Sequence, residues 1–118
     1  MRTSFFSIGK FMACASAISS SLGAGSNYLV EKVNDGFMPV FNALPCYIFP
    51  GVQIDYKHVC ASADTHLALL VDWIRVGPSI YSIGDFFIVA SWHFGYIAAS
   101  FLTVAFIDYI IKRKRLFV

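Results

Sequence analysis

The sequence predicts an all-α membrane protein in which two transmembrane helices form a hairpin, joined by an extracytoplasmic loop with a short amphipathic interfacial helix. Of its 118 residues, 58% are hydrophobic and only 14% are charged, whereas soluble domains carry about 25% charged residues. A chain this short cannot bury so much apolar surface within itself, so membrane lipid or partner helices must cover it. Four basic residues, Lys112 to Arg115, cluster near the C-terminus as a membrane flank. We therefore expect one membrane domain over residues 1–118 and no nucleic-acid partner.

The first transmembrane helix is predicted over residues 3–30, which carry a single charge, Lys10. Arg2 and Lys10 ahead of an apolar stretch also fit a secretory signal peptide, but we expect a retained anchor. Small residues recur at every fourth position: Gly9, Ala13, Ala17, Ser21 and Gly25. On a helix this spacing forms a stripe against which another membrane helix can pack closely, unless Ala and Ser are simply common here.

The middle of the chain is predicted to lie outside the membrane. Residues 31–61 are expected to form a loop because Gly and Pro interrupt them, and their apolar pieces are too short to cross a bilayer. These pieces, at 37–41 and 46–49, predict a re-entrant or interfacial loop. Within this loop, Asn34-Asp35-Gly36 is a turn signature.

A short amphipathic helix is predicted over residues 62–76, lying at the membrane interface. Ser62 is its expected N-cap and Gly77-Pro78 its stop. The apolar residues Leu67, Leu70, Val71 and Ile74 recur at helical spacing.

The second transmembrane helix is predicted over residues 82–111. Ser82 and Asp85 have the spacing of a capping box, which marks a helix start. The basic tail 112–118 follows, and the positive-inside rule places it in the cytoplasm. Arg2 and Lys10 place the N-terminus there too, so the middle third of the chain is expected on the extracytoplasmic side.

Two cysteines, Cys46 and Cys60, fall in the predicted exported loop. An oxidising compartment would allow them to form a disulfide, and two free thiols are the alternative. His58 lies close to Cys60, but no C-x-x-C pair accompanies them, so no metal site is predicted.

His93 lies inside the second predicted span, where ionisable residues are rare and often functional. A neutral imidazole there could ligate a haem or a chlorophyll-type pigment. A hydrogen bond between helices, or a position near the lipid headgroups, explains it equally well. No other cofactor is expected.

Asp72 and Asp85 are the candidate catalytic residues. Asp72 is surrounded by apolar residues, so its carboxylate must be paired, protonated or directed at water. If the two carboxylates lie close together, they satisfy a requirement of aspartic-type hydrolysis, in which one acts as base and the other as acid. The structural alternatives are helix capping by Asp85 and a salt bridge from Asp72 to Arg75.

Two motifs carry a resemblance to an uncharacterised bacterial family of multi-pass membrane proteins, a domain of unknown function. The family pattern N-G-G-x-M-P-V is similar to residues 34–40 (N-D-G-F-M-P-V), and its S-I-G-D is found at residues 82–85. Asp35 stands where the pattern has a Gly, and the resemblance covers about residues 23–95. It implies a bacterial inner-membrane location and no assigned activity.

The chain also resembles lipoprotein signal peptidase, an intramembrane aspartic enzyme, in three blocks: N-x-G (34–36) after a span, V-D-W-I (71–74) and Y-S-I-G-D-F-F-I-V (81–89). That likeness implies Asp72 and Asp85 as the catalytic carboxylates and Asn34 as a polar site residue. The enzyme's N-x-x-D-R block is absent here, and two spans stand where it has four.

From these observations we expect an accessory or structural subunit of a membrane protein complex, whose partners are lipid and the transmembrane helices of that complex. The alternatives are the aspartic hydrolase and a pigment- or haem-binding subunit acting through His93.

Overall fold

The structure, a computed structural model, describes residues 2–115, and side chains from Ser4 onward. Residues 116–118 of the predicted basic tail lie outside this range. Two long helices flank four short strands and a 3-10 turn. In chain order the elements are α1 (Arg2–Val33), β1 (Met38–Val40), the 3-10 turn (Leu44–Tyr47), β2 (His58–Cys60), β3 (Ile74–Val76), β4 (Ser79–Tyr81) and α2 (Ile83–Arg115).

Both predicted long helices are present. α1 continues three residues past its predicted end at residue 30, and α2 runs on through the basic cluster Lys112 to Arg115. By length and composition, Ser4–Val33 and Ile83–Arg115 are both able to cross a membrane, and only 11% of the most apolar stretch of each is buried. In its described part the chain divides into two compact units, one made of the chain up to Ser20 and from Val89 on, the other of Ser21–Ile88.

In the first unit the two helices pack against each other in antiparallel directions. Gly9 lies against Leu102, and a Cβ placed on this glycine would come within 2.8 Å of the leucine side chain. Further along α1, the Ser16 hydroxyl donates a 2.7 Å hydrogen bond to the carbonyl oxygen of Ser91. Gly95 also faces Ser16, since a Cβ there would lie 3.3 Å from the serine oxygen.

The residues that face the partner helix recur at alternating steps of three and four. On α2 one series of buried or half-buried positions has this spacing, and it includes every buried residue of the helix: Gly84, Ile88, Ser91, Gly95, Ala98, Leu102 and Ala105. Most of these residues are small, which is the composition that allows close helix packing in membranes. A repeat averaging 3.5 residues is typical of helices that cross with a left-handed twist.

The second unit contains the segment between the helices, residues 34–82, which we call the cap. α1 ends at the predicted turn, where Asp35 has a positive φ of 57° and the Gly36 amide donates a 2.8 Å hydrogen bond to the Glu31 carbonyl. This is the hydrogen bond of a Schellman helix end. The turn signature of Asn34-Asp35-Gly36 is therefore confirmed.

Two small sheets build the cap. β1 and β2 pair in parallel, with Met38 opposite His58 and Val40 opposite Cys60. β3 and β4 form an antiparallel hairpin around Gly77 and Pro78. Gly77 has φ +60°, which a two-residue hairpin loop requires and which glycine adopts without steric cost. The buried core of the second unit consists of Met38 and Val71 of the cap and Val30 of α1, with Phe41 and Leu70 packed against it.

The helix predicted over residues 62–76 is wrong. This stretch consists of turns followed by β3, and Leu67 has a positive φ of 54°. Its internal backbone hydrogen bonds are those of isolated turns, such as the Leu70 amide to the Leu67 carbonyl. Its last residues pair with other segments: the Asp72 amide donates to the Pro39 carbonyl, and the Trp73 amide donates to the Tyr81 carbonyl. Tertiary pairing thus overrides the helical spacing of the apolar residues.

The all-α class also needs correction. The structure is mostly helical, but four strands lie in the region predicted as loop and interfacial helix. Gly77-Pro78, predicted as a helix stop, is the turn of a hairpin, and the apolar piece 37–41 contributes a buried strand and not a surface loop.

Candidate functional site

The cap holds one buried carboxylate, Asp72, and the backbone fixes its position. Asp72 bridges to Val40 of β1, its amide donates 3.1 Å to the Pro39 carbonyl, and its carbonyl accepts 2.7 Å from the Phe41 amide. Only 6% of the residue is exposed. Two backbone hydrogen bonds, from the amide and to the carbonyl of Asp72, therefore hold this residue inside the cap.

The Asp72 carboxylate is poorly satisfied for a buried charge. Its Oδ1 has no hydrogen-bond partner among the described residues, and its Oδ2 lies 3.7 Å from Nε2 of His58. Burial and the negative charge of Asp85 raise the pKa of Asp72 to about 6, against the smaller opposing effect of His58. Glu31 adds a further negative charge that raises it. Asp72 thus titrates in a range where it can exchange a proton.

His58 lies between two carboxylates. Its Nδ1 lies 2.8 and 2.9 Å from the two oxygens of Asp55, and its Nε2 faces Asp72. Asp55 also accepts hydrogen bonds from the backbone amides of Lys57 and His58. The Lys57 amide, and then the His58 ring, hold the pKa of Asp55 below its ordinary value.

Sequence reasoning missed this pairing of Asp55 with His58, although their spacing of three residues was visible. The imidazole is oriented by an exposed carboxylate and points at a buried one.

Asp85 caps α2, as the S-x-x-D spacing predicts. Its Oδ2 accepts from the Ser82 amide at 2.9 Å, and the Asp85 amide donates to the Ser82 hydroxyl at 3.1 Å. Asn27 of α1 joins the cluster: its Nδ2 donates 2.8 Å to Oδ1 of Asp85, and its Oδ1 accepts 2.9 Å from the Ser82 hydroxyl. Both oxygens of Asp85 therefore accept hydrogen bonds, Oδ2 from the residue that precedes α2 and Oδ1 from the Asn27 side chain of α1.

The two predicted catalytic carboxylates are close enough to interact electrostatically, but no hydrogen bond joins them among the described residues. Arg75, the salt-bridge partner predicted for Asp72, instead donates a hydrogen bond to the carbonyl oxygen of Asn42.

Asn34 ties the end of α1 to the loop that precedes Asp72. Its Nδ2 donates to the carbonyls of Val30 (2.8 Å) and His66 (3.0 Å), and its Oδ1 accepts from the His66 amide at 2.9 Å. These bonds occupy both ends of its amide. A cleft of about 430 Å³ opens beside it, lined by Asp35, Asp64 and His66 among others. Asn34 is thus a wall residue whose hydrogen bonds hold the cleft in shape.

His93 lies on the exposed face of α2, and its Nδ1 is 2.9 Å from the Val89 carbonyl oxygen. A groove of about 580 Å³ lies beside the neighbouring residues Trp92 and Tyr96, but His93 does not line it. Across residues 2–115, no group of three or more His, Cys, Asp or Glu residues is arranged to hold a metal ion. Pigment binding at His93 stays a prediction.

The small-residue stripe does not coincide with the face that joins the helices. Only Gly9 is buried; Ala13, Ala17, Ser21 and Gly25 are exposed. In the loop, Cys46 and Cys60 are joined by a disulfide with Sγ atoms 2.14 Å apart. It links the 3-10 turn to the last residue of β2.

The sequence model of DUF5317, a family of unknown function, matches residues 4–99. This match confirms the resemblance to a family of unknown function. No curated protein and no solved structure matches the chain.

Proposed function

The chain belongs to the DUF5317 family, which carries no assigned activity, and from the geometry we propose that it is a non-catalytic membrane subunit. Its two helices cross the bilayer, its cap folds on the extracytoplasmic surface, and it docks to a helix of a larger membrane complex.

The observation that carries the proposal is the reversed distribution of side chains on the two helices. Large apolar residues point outward, among them Phe11, Ile18, Trp92, Tyr96 and Phe106, each more than 60% exposed. The faces between the helices carry glycine, alanine and serine. A water-soluble helix pair would bury its large apolar side chains, whereas lipid favours their exposure.

Charge supports the orientation of the proposed hairpin. Lys112 to Arg115 lie in the last described turn of α2, and Lys112 pairs with Asp108 at 2.8 Å. By the positive-inside rule this end is cytoplasmic, so the cap lies on the opposite side. A disulfide in the cap fits an oxidising, extracytoplasmic compartment.

The exposed part of the stripe supports docking to a partner helix. After Gly9, the residues Ala13, Ala17, Ser21 and Gly25 are exposed. A Cβ placed on Gly25 would meet no atom within 4 Å, so a partner backbone has room to approach there. Interfaces of small residues are a common means by which membrane helices associate.

Copurification from native membranes in mild detergent tests the proposal. The wild-type chain is expected to elute with a defined partner, and Ala17→Leu is expected to lose it because the larger side chain blocks close approach. Ile18→Leu, an exposed change on the neighbouring face, is the matched control and should retain the partner. A wild-type chain that always elutes alone would contradict the docking role.

An aspartic hydrolase is the second candidate, and one observation favours it: Asp72 is buried, has an unpartnered oxygen and interacts electrostatically with Asp85. Against it, both oxygens of Asp85 already accept hydrogen bonds, from the Asn27 side chain and from the Ser82 amide. The test is cleavage of a lipoprotein reporter by the wild type, Asp72→Asn and Asp85→Asn. The hydrolase predicts loss of cleavage in both variants with membrane insertion unchanged, and the subunit role predicts no cleavage by any of them.

A further inference from the structure

The cap presents an unusually apolar surface on one segment, residues 44–56, which we call the apolar loop. Large apolar side chains project from it with exposed fractions between 41% and 85%: Leu44, Tyr47, Ile48, Phe49, Val52, Ile54 and Tyr56. Exposed patches of this kind mark a surface that meets a membrane or a partner.

The distribution of charge favours a membrane over a protein partner for this surface. From Gly36 to Ile54 the chain has no charged residue and no histidine. Asp55, the one charged residue of the apolar loop, lies next to its end, and its carboxylate is paired with the His58 ring at 2.8 Å. Protein interfaces typically surround their apolar centre with a polar rim, whereas charge is excluded from a segment that enters the apolar part of a bilayer. Tyr47 and Tyr56 add the residue type enriched where lipid headgroups meet hydrocarbon.

The backbone of the apolar loop is hydrogen-bonded within the cap. Five amides in or beside the loop have carbonyl partners there: Cys46 with Ala43, Ile48 with Pro45, Gly51 with Cys60, Ile54 with His58, and Cys60 with Val52. The Tyr47 hydroxyl also donates to the Asn42 side chain at 3.3 Å. Internal pairing of this kind is what a non-helical segment needs in order to enter an apolar phase without leaving polar groups unsatisfied.

The loop is also tied in place. The disulfide from Cys46 to Cys60 attaches it to β2, and Pro45 and Pro50 restrict its backbone. Its apolar side chains are therefore held outward by a constrained backbone.

We propose that the apolar loop inserts its side chains into the interfacial region of the lipid bilayer, on the extracytoplasmic leaflet. Its partner is thus the lipid surface and not a protein. The inference rests on the proposed function, because the helices must span the bilayer for the cap to lie against it. The loop then gives the chain a third point of membrane attachment besides its two helices.

Tryptophan fluorescence tests the inference. The chain has two tryptophans, Trp73 and Trp92. Trp73→Phe leaves Trp92 as a reporter on α2. Adding Trp92→Phe and Phe49→Trp moves the single reporter to the apolar loop, and Ala63→Trp in the same background is the matched control on an exposed part of the cap.

The full-length proteins are reconstituted into vesicles of phosphatidylcholine and phosphatidylglycerol, with or without bromine atoms near the headgroup end of the acyl chains. We expect bromine to lower the emission of the Phe49→Trp protein by roughly half or more, because an interfacial segment lies about 5–10 Å deep. The Ala63→Trp protein is expected to change little. Circular dichroism checks that each variant folds, and Tyr56→Trp, at a position 85% exposed, replaces any loop variant that does not.

The outcomes separate the two proposals. Absence of quenching at Trp92 with lipids brominated deep in the acyl chains would refute the spanning helices and with them the proposed function. Quenching at Trp92 without quenching at position 49 would leave the spanning helices in place and overturn the lipid-seated loop, indicating a protein partner for that surface. Equal quenching at positions 49 and 63 would also overturn it, since the whole cap would then contact lipid.

Discussion

Replacing Asp72 by Asn is expected to stabilise the cap at neutral pH. The change keeps the shape of the side chain and removes its ability to ionise. The pKa of Asp72 is about 6 in the folded protein, whereas an unfolded chain gives aspartate a pKa of about 3.9. A difference of about two pKa units at about 1.4 kcal/mol each corresponds to about 3 kcal/mol.

The sign follows from the direction of the pKa shift. Because the folded protein binds the Asp72 proton more tightly than the unfolded chain does, the contribution of Asp72 to stability is greatest below pH 4 and falls as the pH rises to 6. Asp72→Asn has no ionisable group at this position, so its stability lacks this dependence on pH. At pH 4 the unfolded aspartate is already about half ionised, so the difference in unfolding free energy between Asp72→Asn and wild type should grow by about 2 kcal/mol between pH 4 and pH 7.

Hydrogen exchange measures the effect at the site. The amides of Phe41 and of position 72 pair β1 with this segment, so their exchange reports its opening. At each pH the exchange rates of variant and wild type are compared, which cancels the intrinsic pH dependence. Their ratio should change by roughly thirtyfold between pH 4 and pH 7, since about 1.4 kcal/mol is a factor of ten.

Two controls sharpen this measurement. Asp64→Asn removes an exposed carboxylate and should give a ratio independent of pH. His58→Gln removes the charge that opposes the shift, so the pKa of Asp72 should rise further and the transition should move to higher pH. A ratio for Asp72→Asn that stays constant from pH 4 to pH 7 would refute the reasoning.

Three further changes test the packing. Ser82→Ala should lower the free energy of unfolding by about 1 kcal/mol, measured by thermal unfolding in detergent, because it removes the N-cap hydrogen bond of α2. No change would show that Ser82 does not form this bond. Gly23→Ala should cost about 1–3 kcal/mol in the same assay, because its Cβ would lie 2.5 Å from a backbone oxygen, whereas Gly25→Ala meets nothing; equal effects would contradict the close approach. Replacing Cys46 and Cys60 by Ser should cost about 3 kcal/mol, the value for a loop of about 15 residues, and faster hydrogen exchange in the cap should report it.

The helices and their ends could be predicted from sequence because their signals are local. A long apolar stretch, the Ser82 to Asp85 spacing and the Asn34-Asp35-Gly36 turn each act within a few residues. The strands could not be predicted, because three-residue strands are too short to show an alternating pattern. The parallel pairing of β1 with β2 joins residues twenty positions apart, which no local pattern encodes.

The candidate site shows the same division. Asp72 was recognisable as an ionisable residue in apolar surroundings, and it is buried. Its neighbour His58 was not recognised, because only the folded cap brings residues 58 and 72 together. The helical spacing that led to a wrong helix at 62–76 reflects residues such as Leu70 and Val71 that pack into the core of the cap from an extended backbone.

The cluster of Asn27, Ser82 and Asp85 has a consequence for the order of assembly. Asn27 is synthesised well before the two residues that satisfy its amide, which follow 55 and 58 positions later. A nascent chain that has not yet reached Ser82 therefore carries α1 with these hydrogen bonds unmade. Closing a loop of this length costs more conformational entropy than forming a helix turn, and it is therefore slower. The hydrogen bonds of Asn27 to Ser82 and Asp85 can thus form only after the first turn of α2 has been synthesised, and a chain truncated before that turn would lack them.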